Sequence, residues 1–402
     1  MQHYIREQID WPQPFPPEEY AERRAQVRKA LAAKDIAAIY VTTPANLTWL
    51  TGYDMIWYHS GNLTGLLLRA DRDDTVFFDY HTHSTILSTT PEIGRVVWLE
   101  YAPAAAAIET IAKTIAEAGL ANARIAIEPG GYSPDATIME ALGKRLAEQG
   151  TTAAEPHLVE ELRLVKSPNE IAVVRQAALI ADAAMGAARD AIGVGVMETE
   201  IEAALMQSLM KAGGGYPGIR SMIGSGPRAG THHSAPQHRK IKAGDLVFID
   251  FCASLHRYHV NLNRTFSLGE PDRRWTDLMD RSAGCIDAIC AGIRIGDPWS
   301  KVATLGKRYV EEAGLQKYVW WVGGYALGIA VPPDWCGAYW VEPHDGLPDR
   351  PIEPGMVFNF ENQFDVWENW PGGSGAAWID TLLATESGLQ PLSKLPRTLV
   401  TV

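Results

Sequence analysis

The segment "GSGPRAGTHHSAPQHRK" (224–240) sets His232 and His233 side by side in a loop rich in glycine and proline, just ahead of the apolar run "DLVFID". A histidine titrates near neutrality, with an ordinary pKa of about 6.5, so it can take a proton from water and later return it. The pair is a candidate general base, weighed against the commoner solvated or structural role of a loop histidine. Two carboxylates fall inside apolar runs, Asp250 in "VFIDF" and Glu361 in "MVFNFE". Half buried there, each must be paired or share a proton. Asp250 reads as a group that orients His233 or binds an amidinium. Glu361 reads as the acid that protonates a leaving nitrogen or as a clamp for a cation, with a core hydrogen-bond network as the structural alternative. On "RYHVNLNRT" (257–265), alternation turns one residue of each adjacent pair into a pocket, which makes His259 a candidate substrate contact.

Aromatic residues crowd the same half of the chain. Trp320, Trp321, Trp335, Trp340, Trp367, Trp370 and Trp378 all lie between residues 320 and 378. Such stripes are usually core, yet ring faces near an acidic site also form a cage for a compact organic cation. Trp57, far upstream, is read as a residue that closes this cage from a partner subunit.

These residues need a framework. Over the first 160 residues, apolar runs alternate between helical and strand spacing: helix 18–34, strand 36–43, strands 64–70 and 75–80, helix 105–119, strand 123–129 and helix 136–150. That alternation predicts a sheet covered by helices, an α/β domain over 1–160. A new unit, 161–402, opens at "KSPNEI", where Ser167 can cap a helix, Pro168 suits its first turn and Glu170 sits at the reciprocal capping position. Helices followed by long paired strands (245–271, 355–367, 376–388) predict an α+β arrangement there.

Composition narrows the partners. The chain has 402 residues, 46% hydrophobic and 21% charged, with a formal net charge of −12. That field repels nucleic-acid phosphates and anionic membranes, so a small-molecule partner is expected. Cys252, Cys285, Cys290 and Cys336 lack metal or disulfide spacing and read as reduced thiols. No run of 18 apolar residues and no signal-like segment is present, and a cytoplasmic location is expected.

Five motifs in register, "LRLVKSPNEI", "KAGDLVFIDF", "RYHVNLNRTFSLGEP", "PGMVFNFE" and "IDTLLATESGLQPLS", resemble the creatinase, prolidase and methionine aminopeptidase superfamily over roughly residues 20–390. The resemblance implies a creatinase-type N-terminal domain, a pita-bread catalytic domain and a homodimer. It also implies five metal ligands in the peptidases. Carried onto this chain, those positions fall on Asp250, Asn261, Tyr325, Glu361 and Ile379. Two carboxylates, an amide, a phenol and an isoleucine are too poor a donor set for two divalent cations, although Asp380, Asp365 and His259 remain as substitute ligands. No metal and no cofactor is expected.

Within the superfamily, "TGYDMIW" (51–57), "RYHVNLNRT" and "GYALGIAVPPDW" (324–335) are similar to the metal-independent creatinase and ectoine hydrolase members. That similarity matches His233, by distance to Asp250, to the creatinase histidine, with His232 one residue off. It adds Tyr53, Trp57, Tyr325 and Trp335 as substrate contacts, with Asp380 as a contact or supporting group. Glu342 stands where ectoine hydrolase is expected to hold an arginine, a charge reversal that bears on the substrate. The expected activity is metal-independent hydrolysis of a C–N bond in a small cationic amidine, guanidino or compatible solute. A metal-dependent Xaa-Pro peptidase with atypical ligands and a lyase acting on a sulfonium or ammonium solute are the alternatives.

Overall fold

The computed structural model describes residues 9, 11–90, 92–101, 103–230, 232–342 and 347–402, and the structural statements made here concern those residues. Two compact units emerge, Met1–Arg163 and Leu164–Val402.

In the first unit, short apolar runs become a mixed sheet in the order Arg95–Leu99, Thr75–Tyr80, Gly65–Arg69, Ala38–Val41, Arg124–Ile127, Thr151–Ala154. Ala38–Val41 is buried along its whole length, as a central strand covered on both faces must be. Helices Ala104–Ile115 and Ala136–Ala147 contribute Ile108, Ile111, Leu142 and Leu146 to one core with Tyr40 and Phe78. Asp135 caps the second of these helices by accepting from Ile138 N at 2.9 Å. Both edge strands, Arg95–Leu99 and Thr151–Ala154, go unannounced in the sequence, because four or five residues give alternation too little length to register.

The second unit begins with the helix Pro168–Asp190. Its capping box forms as the sequence predicts: Glu170 N donates to Ser167 Oγ at 3.1 Å, and Ser167 N donates to Glu170 Oε2 at 2.9 Å. Buried Val174, Ala178, Ala181 and Met185 lie along this helix, which packs against strands Leu246–Leu255 and Tyr258–Ser267. Those two strands form a hairpin whose turn residues, His256 and Arg257, both take positive φ, 49° and 67°. The sheet continues in the order Val319–Gly323, Val357–Asp365, Gly375–Thr385, Tyr258–Ser267, Leu246–Leu255, Met222–Ser225. Helix Ser300–Glu312 packs on the edge strand Val319–Gly323, and Arg273–Ala283 on Gly375–Thr385.

Candidate active site

The strand Val357–Asp365 supplies the acidic floor of a cavity. Its side chains alternate, so Asn359, Glu361, Gln363 and Asp365 share one face while Phe358, Phe360 and Phe364 go to the core. Asp250 comes from the strand Leu246–Leu255 and Asn261 from Tyr258–Ser267, neighbouring strands of the hairpin in which Asp250 pairs with Asn263 and Asn261 with Cys252. Asn261 Nδ2 donates to Asp250 Oδ1 at 2.9 Å, and Asn359 Nδ2 donates to Asn261 Oδ1 at 2.9 Å and to Glu361 Oε1 at 2.6 Å. Two backbone groups fix both amides. Asn261 Nδ2 also donates to the Phe251 carbonyl at 3.1 Å, and Asn359 Oδ1 accepts from Tyr325 N at 2.8 Å. Turned over, each amide would set like against like at these partners, so the relay has one orientation.

The two carboxyls differ in their surroundings. Burial, and then the Glu361 charge, push Asp250 up from 3.8 to about 8. Burial also raises Glu361, but Tyr325, Gln363 and Asn359 all hydrogen-bond to it and oppose the rise. Asp250 has the single Asn261 donor against burial. The arrangement therefore keeps the proton on Asp250 and the charge on Glu361.

A cavity of about 590 Å³ opens above this floor. Trp320, Trp321, Trp335 and Trp340 line it with Tyr325, His233, Arg220 and Cys336. The other three clustered tryptophans stand apart. Trp370 packs against Trp275 and Tyr318, Trp378 donates to Ser282 Oγ, and Trp367 is exposed. Trp335 Nε1 donates to the Tyr325 hydroxyl at 2.9 Å, which holds that hydroxyl beside Glu361.

The two histidines divide. His233 lines the cavity with its backbone in the left-handed region (φ 64°), a strained conformation for a residue with a Cβ. Partial burial and the neighbouring His232 hold its pKa below the usual 6.5. His232 is buried beside it, stacked on Trp320 at 4.7 Å, with Nε2 at 2.9 Å from Asp365 Oδ1.

Several expected contacts lie elsewhere. His259 is fully buried with both nitrogens committed: Nε2 accepts from Gly218 N at 2.8 Å, and Nδ1 donates to the Arg257 carbonyl at 2.8 Å. Burial depresses its pKa to about 4, so it is a neutral strand-to-loop tie. Asp380 is clamped between Arg264 and Arg397, each at 2.9 Å. Glu342 pairs with Lys307 in an adjoining groove, lined by the helix Ser300–Glu312 and by Trp321 and Trp340, which also line the cavity. Tyr53 is buried in the first unit, where its hydroxyl donates to Asp79 Oδ2 at 2.7 Å, while Trp57 of the same unit is 55% exposed.

Asn359, Gln363 and Arg220 escape the sequence reading, which names Asp365 only as a substitute ligand. Asn359 and Gln363 are detectable from the alternation in "NFENQFD"; Arg220 sits on a segment with no such pattern and bonds Glu202 through Nε and Nη2.

The side chains present do not fit a metal pair. Ile379 lies opposite Glu361 with no donor atom, Asn261 is fully used within the relay, and no group of three or more His, Cys, Asp or Glu with metal-binding geometry occurs among the described residues. Asp380 and His259 are committed at both polar atoms to the partners described above, while Asp365 holds His232 through one oxygen.

Residues 172–386 match Metallopeptidase family M24, and residues 23–165 match the Creatinase/Prolidase N-terminal domain. The chain is 26% identical over 415 residues to the ectoine hydrolase of Halomonas elongata, covering 96% of this chain and 98% of that one. It is 27% identical over 244 residues to the Xaa-Pro dipeptidase of Pyrococcus furiosus, covering 60% and 67%. The fold is that of the Thermococcus sibiricus prolidase structure, with a TM-score of 0.81, 20% identity and coverage of 95% and 99%.

Proposed function

We propose, from the premise that this chain belongs to metallopeptidase family M24, that it is a hydrolase that works without the family's metal and cleaves a C–N bond in a small cationic amidine, guanidino or related compatible solute. The observation that carries this reading is the Asp250–Asn261–Asn359–Glu361 relay, in which amide N–H groups occupy Asp250 Oδ1 and Glu361 Oε1, where a metal pair would need free carboxylate oxygens. Full-length similarity to an ectoine hydrolase supports it, and the dipeptidase similarity keeps the peptide alternative in the test.

In this reading, the cationic carbon–nitrogen group sits against the Glu361 carboxylate within the tryptophan walls. His233, neutral at pH 7, takes a proton from water as its oxygen adds to the substrate carbon. Asp250 then delivers its proton to the nitrogen as the C–N bond breaks, leaving an amide or carboxyl product and an amine. His232, fixed by Asp365 and stacked on Trp320, positions the loop that carries His233.

The test is turnover by His233→Ala of ectoine, hydroxyectoine, creatine and Xaa-Pro dipeptides, each compared with the unmodified protein. Loss of C–N hydrolysis of a cationic solute with retained binding is expected. Undiminished turnover in the variant, or hydrolysis confined to the dipeptides, contradicts the proposal.

A further inference from the structure

Gln363 adds a recognition element that the catalytic reading does not use. It lines the cavity and is 2% exposed. Its Nε2 donates to Glu361 Oε2, while its Oε1 is buried and meets no donor among the described residues. A half-turn of this amide would bring oxygen against the carboxylate, so the vacant acceptor is held in place. A buried acceptor without a donor carries a desolvation cost that a ligand's N–H removes on binding. Glu361 and Gln363 stand two residues apart on one strand, so the charged and the neutral acceptor face the same side.

We propose that Glu361 and Gln363 together read the substrate through two N–H donors, one meeting the Glu361 carboxylate and one meeting Gln363 Oε1. The site then selects an N–H-bearing amidine or guanidine over a quaternary cation of the same charge. It also disfavours a tertiary amide such as an Xaa-Pro bond, whose nitrogen carries no hydrogen. The inference rests on the reading that the cavity takes a cationic nitrogen compound, but it assigns recognition to hydrogen bonding where aromatic faces alone would accept any cation. A site built to bond an N–H rejects an analogue that lacks one more strongly than a pocket that senses only size or charge.

The experiment needs no turnover. Acetamidinium and tetramethylammonium chlorides are titrated calorimetrically into the intact protein and into Gln363→Met and Gln363→Glu, each checked for folding by circular dichroism. Acetamidinium should bind about ten-fold or more tighter than tetramethylammonium to the unmodified protein, since one bond to a charged or buried partner is worth that much. That ratio should fall about ten-fold in Gln363→Met, leaving only the preference that the Glu361 carboxylate contributes, and persist in Gln363→Glu, which keeps an acceptor. Equal affinities in the unmodified protein, no binding of either cation, or an unchanged ratio in folded Gln363→Met overturns the inference. If Gln363→Met does not fold, the ratio in the unmodified protein decides. Equal affinities together with turnover that His233→Ala abolishes would remove this inference and leave the hydrolase reading standing.

Discussion

Asp250 and Glu361 share one pocket but have different numbers of donors, and that difference sets their roles. Asp250 must keep its proton to act as acid, so kcat/KM should fall as the pH rises through about 8. His233 must lose its proton to act as base, so kcat/KM should rise across the acid range and level off at a pH below the ordinary 6.5. A bell-shaped profile is expected, and its alkaline limb should disappear in Asp250→Asn along with about 100- to 10,000-fold of kcat. An unchanged alkaline limb would assign that ionisation elsewhere. The same proton couples to folding. Because the folded state binds it more tightly than the unfolded chain, the stability it contributes is complete below about 3.8 and is lost as the pH rises through about 8. Tyr325 supports this division by hydrogen bonding to Glu361 while accepting from Trp335. Tyr325→Phe strands the buried Trp335 N–H at a cost of about 1–3 kcal/mol. Denaturant unfolding should show that loss together with weaker binding of cationic ligands.

Strands, more than loops, fix the floor of the cavity. Period-two alternation on Val357–Asp365 places Asn359, Glu361, Gln363 and Asp365 in a row, and pairing with Gly375–Thr385 sets apolar Ile379 beside Glu361. Asp250 and Glu361, read from apolar strand runs, meet in one cavity with Tyr325, Trp335 and His233, which the family resemblance singled out. His259 was read from alternation, which identifies a face but not what covers it, and here it meets the Gly218 backbone. Asp380, read as a contact or a supporting group, meets Arg264 and Arg397. Asp380→Asn should therefore act on stability, costing about 3–5 kcal/mol in urea unfolding because a buried arginine pair loses its counter-charge. A large loss of substrate affinity with unchanged stability would return Asp380 to the site. At the entrance to the second unit, Ser167→Ala removes the side-chain half of the capping box. It should cost about 1 kcal/mol without altering kcat.

For the whole molecule, two compact units and a sheet-plus-helix catalytic half were legible in the periodicity and the capping signals, while short edge strands and the reach of the Trp cluster were not. Three-dimensional pairing decides which tryptophans line a cavity and which fill a core, and residue type alone carries no information on that choice. The donor set is the clearest departure from the family name. Where a metal pair would require converging carboxylates and a histidine, this chain has an amide, a phenol and an isoleucine, and the two remaining acids are tied together through Asn261 and Asn359. The most direct measurement of the central claim is turnover of ectoine, hydroxyectoine, creatine and Xaa-Pro dipeptides by protein dialysed exhaustively against chelator, with metal content read on the same sample. Undiminished C–N hydrolysis of a cationic solute at metal contents far below one per chain is predicted. Turnover lost on chelation and restored by manganese, zinc or iron would contradict the account.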